Sequence, residues 1–496
     1  MPIRSSVMFA MSACLNAALL GGCAGGGSSD THPAGVVPAA AQGAALAGGR
    51  SVRSGVRRPL DVPSCIGFTG PHAFMGINNS SADGGAYSVV GGGQNNEACD
   101  PDSTVVGGNG NQIYGQGNSA VNAFIGGGGD NSIIGVDGQS AILAGYANQI
   151  SAGGSAIIDG DSNSVAANSS FIGAGAVNTI AVGGDTAAIV SGENNSLSGE
   201  FGFIGAGSAN TLTAAATYGA IAGGNVNNLS GEYGFIGGGS GNHVSAEYGV
   251  IAGGLNNYVF SAGEGGYIAA GGYNQVGGEG AVIDGGFNNQ AYGTFATIPG
   301  GYVNSAGGTY SFAAGARASA SQTGTFVWSD GSDGDTILTS ARAYQFLARA
   351  SGGVTFWTNA ASTVGATLAP GSGTWASASD RNLKTDVARI DDAAVLDKVA
   401  TLPIERWSYK SERGVRHVGP MAQDFYAAFG VGADDKHITS IDEDGVALAA
   451  IKALHAENAQ LRTRLATVTA SHSAKIAAMQ AQLQILSAQM AALRQR

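Results

Sequence analysis

Positive charge is the first thing this 496-residue chain lacks: no lysine occurs before Lys384, and arginine is the only strong cation ahead of it. With 12% charged residues and a net charge of −12 there is no basic stripe to neutralise phosphates, which argues against a nucleic-acid partner. Glycine-rich phrases such as Gly126-Gly127-Gly128-Gly129 lack the Lys-Ser/Thr that a phosphate loop needs, so they read as backbone structure. Asp130, Asp159, Asp161 and Asp284 do not recur in the Gly-Gly-x-Gly-x-Asp frame of calcium-binding rolls, and no metal or cofactor is expected. Nor is there an evident acidic pair of the kind that cuts glycans. The balance suits a soluble, self-repelling extracellular surface.

Glycine is what the chain has in quantity, 83 residues, and much of it is ordered into a repeat. From Val90 to Phe312 one phrase recurs: Val or Ile, any residue, Gly or Ala, Gly, two residues, Asn. Its lead positions are Val90, Val105, Ile125, Ile142, Ile157, Ile172, Ile189, Ile204, Ile221, Ile236, Ile251, Ile268, Ile283 and Ile298, decaying at Phe312. The steps are mostly 15 or 17 residues, with one of 20 and a last of 14. Helical repeats need roughly 33 residues, and glycine costs about 1 kcal/mol per helical position, so a β-coil remains. Insertions of two keep later side chains on their own face of the pleat; the 20-residue step between Asn111 and Ile125 breaks parity and predicts a protruding loop. Gly and Asn mark corners, because both tolerate left-handed backbone. The recurring Asn, at 96, 111, 148, 163, 178, 195, 210, 227, 242 and 257, predicts a hydrogen-bonded ladder at one corner.

Such a coil has room for two strands of about five residues, each giving only a few apolar side chains to an interior. So thin a core predicts that coils from several chains pack face to face. The array, roughly Ser88 to Ala318, resembles the head of trimeric autotransporter adhesins, whose Gly- and Asn-rich repeats wind as a β-roll shared by three chains. That resemblance implies a homotrimer. The alternative, a monomeric narrow β-helix of the ice-binding kind, needs a flat Thr ladder that is not visible.

Residues 1–23 read as an export signal: Arg4, the mostly apolar stretch Val7 to Leu20, then Leu20-Gly21-Gly22-Cys23. The run is too short to span a bilayer. Its last phrase resembles a bacterial lipobox, which implies lipid on Cys23 and a membrane anchor; Ala24 in place of Asp favours the outer membrane or cell surface. Ordinary signal cleavage nearby is the alternative. Residues 24–63 read as a flexible Gly/Ala/Pro tether. Export makes Cys65 and Cys99 a candidate disulfide at the start of the coils, capping an edge that otherwise invites aggregation.

After Phe312 the phrase frays, and a different texture begins at Thr325, read as a β-neck with a separate small β-domain as the alternative. Short β-runs at Phe326, Tyr344 to Ala350 and Val354 to Trp357 predict a β-neck over 319–378. Then comes Ser379-Asp380-Arg381-Asn382-Leu383-Lys384. A Ser hydroxyl can act as nucleophile with a Lys amine as base where burial or positive neighbours favour the neutral amine. Five residues apart, the two can meet across a turn; a capping Ser beside a surface Lys is the plainer reading.

The motif is followed by Trp407-Ser408-Tyr409-Lys410, by His417 to Phe425, by Asp442-Glu443-Asp444-Gly445-Val446 and by a long helix. This series, about Ala376 to Leu454, resembles the self-cleaving intramolecular chaperone that ends phage endosialidase tailspikes. The resemblance implies a trimeric module that templates the β-fibre ahead of it and then cuts the chain between Ala378 and Ser379. Ser379 would be nucleophile, Lys384 general base, and Asp380 the orienter of the loop. His417 and Gln423 are candidates for support, a fold-maintaining role being the alternative. Pro420 stands where an apolar residue is more usual. The implied enzyme is a serine-type endopeptidase acting once in cis, with no evident external substrate.

Apolar positions from Ile451 to Leu493 alternate in steps of three and four with one stutter near His472, which predicts a coiled coil over 451–496. The expected fold is therefore mainly β: a Gly-rich parallel solenoid over 64–318, a neck, a small α+β chaperone domain over 379–450 and a coiled coil. The expected function is a lipid-anchored, adhesin-like surface fibre with a glycan or matrix ligand. A glycan-binding or glycan-degrading tailspike-like fibre and a purely structural surface protein are the alternatives.

Overall fold

The computed structural model describes residues 74–75, 86–115, 122–135 and 138–495. The export signal, Cys23, the tether and Cys65 lie outside the described residues, as does the middle of the 20-residue step, 116–121. The chain divides into two units, residues 1–169 and 170–496.

Both units are built from one coil. The sequence places a β-branched or aliphatic residue at each lead position, and every lead position ends a two-residue parallel strand. Ala188–Ile189, Phe203–Ile204, Ala220–Ile221 and Phe235–Ile236 pair in register with one another in the second unit. Thr104–Val105, Phe124–Ile125 and Ala141–Ile142 do the same in the first. A second strand follows each conserved turn, as at Thr211–Leu212 and Asn228–Leu229, and forms a second parallel sheet. The strands are much shorter than about five residues, because the corners occupy most of each coil. In the second unit parallel pairing continues past residue 318, through Phe326–Asp330 to Phe346–Arg349.

The interior closes within one chain. Ile204, Leu212, Asn210 and Ala216 of a single coil are all 0% exposed, and the other coils repeat this. The expectation that other chains are needed to complete the interior is thus corrected: two inward aliphatic side chains, one Asn and small residues fill a coil this narrow.

The Asn ladder does the rest. Asn210 Nδ2 donates to the carbonyls of Ala206 (3.2 Å) and Gly224 (3.0 Å) and to Asn195 Oδ1 (3.0 Å), while its own Oδ1 accepts from the Asn227 amide at 3.1 Å. The same contacts run through Asn111, Asn131, Asn148 and Asn163 in the first unit. Asn131, Asn274, Asn289 and Asn304 join the ladder beyond the positions anticipated. The corner's left-handed residue is not this Asn but the one before it, Ala209 at φ 55° or Val226 at φ 56°. Asn works there through its side chain. Gly207 sits where a Cβ would lie 2.1 Å from the Gly224 carbonyl oxygen, so that position tolerates no side chain.

The two outer faces differ in character. Beside the lead residues the first sheet turns out Phe171, Ala188, Phe203, Ala220, Phe235, Val250, Tyr267 and Val282, an apolar column. The second sheet turns out Thr179, Ser196, Thr211 and Asn228, a polar one.

After Arg349 the second unit changes to an antiparallel sheet of Val354–Trp357, Gly365–Leu368 and Trp375–Ser377. Asp330 ties this turn region down. Hydrogen bonds from Ser351, and then from Ser332, hold its carboxyl far below the ordinary carboxylate range. Three helices follow: α1 (Asp392–Thr401), α2 (Ala422–Phe429) and α3 (Ser440–Arg494), with α1 packed on α3 and Lys452 paired to Asp392. The anticipated boundary at 450/451 falls inside one helix of 55 residues. Its seam is open: Ile451, Leu465 and Leu483 are 63%, 67% and 65% exposed. Among the described residues no helix is long and apolar enough to cross a membrane.

Asn227→Ala should leave the buried Asn242 amide without its acceptor, at a cost of about 1–3 kcal/mol, and should take the side-chain donor from the Gly223 and Gly239 carbonyls, of which Gly239 keeps the Asn225 amide. Melting of the full chain should fall clearly for this variant and hardly at all for the outward-facing Thr211→Ala; equal shifts would show the ladder to be dispensable. Because the Asp330 carboxyl is depressed, its contribution is present above its ordinary value of 3.8 and is lost as pH falls below it. Protection of the Ser351 amide, taken relative to its intrinsic exchange rate at each pH, should therefore fall on acidification, and Asp330→Asn should lower that protection already at neutral pH.

Candidate active site

The junction between the antiparallel sheet and the first helical turn is held from both sides. The Ala378 amide donates to the Gly365 carbonyl at 3.0 Å, continuing the pairing of Trp375–Ser377 by one residue. Immediately after Ser379, Asp380 caps a short 3₁₀ turn, Arg381–Leu383. Its carboxylate accepts from the Asn382 amide at 2.9 Å and from Asn382 Nδ2 at 3.1 Å, a capping arrangement typical of Asp at a helix start. The turn then delivers Lys384 back toward its origin. Lys384 Nζ donates to Ser379 Oγ at 2.7 Å.

The chain thus brings Ser379 and Lys384 into direct contact and makes Asp380 the cap of the turn between them. Both members of the pair are exposed, as are the nearby apolar side chains Leu383, Val387 and Ile390. Asn382 was not singled out by the sequence, although its place in a Ser-Asp-x-Asn phrase is what a side chain bonding back to the capping Asp requires.

His417 and Gln423 lie elsewhere. His417 is on the strand His417–Gly419, paired with Glu405–Trp407, where its ring stacks on Trp407 at 4.7 Å and its Nε2 meets Glu412 Oε2 at 3.3 Å. Tyr409 packs edge-on against the same Trp407 ring. Gln423 is exposed on α2, whose buried residue is Phe425. Neither hydrogen-bonds to Ser379 or Lys384, so within one chain His417 serves the small aromatic cluster. Glu412 went unnoticed because only the folded hairpin sets it beside His417.

At the other end of the chain Cys99 is disulfide-bonded. Among the described residues no cluster of three or more His, Cys, Asp or Glu is arranged to hold a metal ion.

Residues 379–431 match the family model described as the chaperone of endosialidase, and the match starts at Ser379 itself. No curated protein matches the chain. A parallel β-solenoid followed by this region is the organisation of a fibrous, tailspike-like protein.

Asp380→Ala removes the acceptor for the Asn382 amide. Hydrogen exchange in a peptide spanning 378–386 should accelerate in this variant while exchange in α1 stays unchanged; no local change would mean the cap does not hold the turn.

Proposed function

We propose that this protein is a homotrimeric, lipid-anchored surface fibre, adhesin-like in use, whose carboxyl-terminal region aligns the three chains and then cuts itself away before Ser379. The contact between Lys384 Nζ and Ser379 Oγ, 2.7 Å at the first residue of the family match, carries the reading of the chemistry. In the proposed reaction the Lys384 amine takes the Ser379 hydroxyl proton as Oγ adds to the Ala378 carbonyl carbon. The Ala378–Ser379 C–N bond breaks as the Ser379 nitrogen gains a proton, leaving an ester. Water then hydrolyses that ester to the Ala378 carboxylate and restores the hydroxyl.

Assembly supports the same reading. A lysine acts as base only when its amine is uncharged, and burial favours that form. In one chain the pair faces water, so enclosure by neighbouring chains is the step that would arm it. The open seam of α3 and the apolar outer column of the solenoid are surfaces that a trimer would cover. Cleavage before assembly would be wasteful; cleavage after it would leave the aligned fibre held by slow unfolding. Export, a lipid on Cys23 and a place at the outer membrane or cell surface complete the proposal, resting on the Leu20-Gly21-Gly22-Cys23 phrase. The tailspike-like reading, a fibre that binds or cuts glycans, is favoured by the family match itself.

Expression of the full chain should yield a fragment beginning at Ser379. Ser379→Ala and Lys384→Ala should abolish it and leave uncut chain that still assembles. Lys384→Arg should not restore it, because guanidinium stays protonated. His417→Ala should still cut. Amino-terminal sequencing of the small fragment checks all four, and full cleavage in Ser379→Ala would remove the nucleophile from the proposal.

A further inference from the structure

The polar column of the second sheet is interrupted once. In consecutive coils Asn228, His243, Tyr258, Gln275, Gln290 and Ser305 stand in register, and rings rise where the rest of the column carries small hydroxyls and amides. Two residues further on, just past the strands Tyr258–Val259 and Gln290–Ala291, Phe260 and Tyr292 extend the patch on either side of Gly277.

Two features distinguish this patch from the stacked aromatic row that runs from Phe201 to Tyr248. In that row Phe201, Tyr218, Tyr233 and Tyr248 lie parallel within 2–5° at 4.8–5.1 Å, so each ring covers its neighbour's face and shows only an edge. In the patch the rings are tilted by 37–49°, His243 to Tyr258 to Phe260 to Tyr292, which leaves faces uncovered. Tyr292 also lies down on the sheet: a Cβ on Gly277 would be 2.6 Å from Tyr292 Cδ1, so the glycine makes room for the ring. Its hydroxyl is fixed to Gln275 Oε1, and 44% of the residue remains open.

The polar groups around these rings are hydroxyl, amide and imidazole. Ser245 Oγ meets His243 Nε2 at 2.9 Å and Tyr258 Oη at 3.4 Å. Burial lowers the pKa of His243, which favours its uncharged form. No carboxylate or cation stands in the register column from Asn228 to Ser305. Flat aromatic faces bordered by neutral donors and acceptors match a ligand that is apolar on one face and hydroxyl-rich at its rim.

From this we infer that His243, Ser245, Tyr258, Phe260, Gln275 and Tyr292 form a binding platform for a neutral oligosaccharide, with a pyranose ring stacked on Tyr292. The inference rests on the reading of the solenoid as the presented part of a surface fibre, and it names the ligand class. An anionic glycan meets no cation in that register column.

The test uses the full-length protein on an array of immobilised neutral hexose and N-acetylhexosamine oligosaccharides, with sialylated and sulfated chains as the charged arm. At least one neutral chain should bind, and Tyr292→Ala and Phe260→Ala should each weaken it ~10-fold or more, as expected for a central aromatic anchor. Tyr292→Phe should retain binding, since the face survives. Gly277→Ala should weaken it by lifting the ring, and Tyr233→Ala should leave it unchanged. Melting curves matching the parent separate lost binding from lost fold. Binding to charged chains only, to no neutral chain, or equally by Tyr292→Ala overturns the platform. Attachment of the protein to cells tests adhesion separately: attachment that survives Tyr292→Ala removes the platform and leaves adhesion, whereas array binding without attachment removes adhesion and leaves the platform.

Discussion

A coil this narrow has almost no interior to hide, and what allows it to exist is that one buried amide satisfies its corner. The Asn side chain gives protons to carbonyls of its own and the next coil and takes an amide proton from the next Asn, so the buried amide of each ladder Asn is paired and the corner carbonyls are tied together. Every other feature of the fibre follows. The corner residue before the Asn can be forced into left-handed backbone, even where it is Val226, because the ladder on its far side is fixed. With the corner set, Ile and Leu point inward at the same height in every coil, and the outward positions are free to vary by face.

That freedom gives the fibre its division of labour. One sheet spends its outward positions on Phe, Ala and Val; the other spends them on Ser, Thr and Gln, interrupted by the tilted rings around Tyr292. The same contrast recurs at the carboxyl end, where α3 carries a long apolar stripe with nothing over it in a single chain. In the proposed trimer the apolar surfaces turn toward one another and the polar sheet toward solvent. The Ser379–Lys384 pair is held by the sheet through Ala378 and by the Asp380 cap, and is open to water in the single chain.

Much of this was legible in the residue order. A period of 15 or 17 with Asn at a fixed offset can hardly be anything but a β-coil, and the Ser-Asp-x-x-x-Lys phrase gave the pair that meets in space. What the order could not give was radius. The lead residues look too few to close an interior when counted against an ordinary globular core, yet Ile204 and Leu212 suffice once the corners bring opposite sheets close. Nor could it separate the two jobs of a corner, since Asn is a familiar left-handed residue and only coordinates show Ala209 taking that conformation instead. His417 was drawn toward the active pair by its motif, whereas stacking on Trp407 and contact with Glu412 depend on a hairpin that sequence spacing does not fix.

The parallel, in-register stacking of identical units has a consequence for how such a molecule can change over time. Adding or deleting one whole coil alters the reach by about 4.8 Å and leaves the pairing on either side chemically the same. Two-residue insertions are absorbed at a corner without flipping a side chain. Length can therefore drift by duplication without any change to the region that follows the last coil.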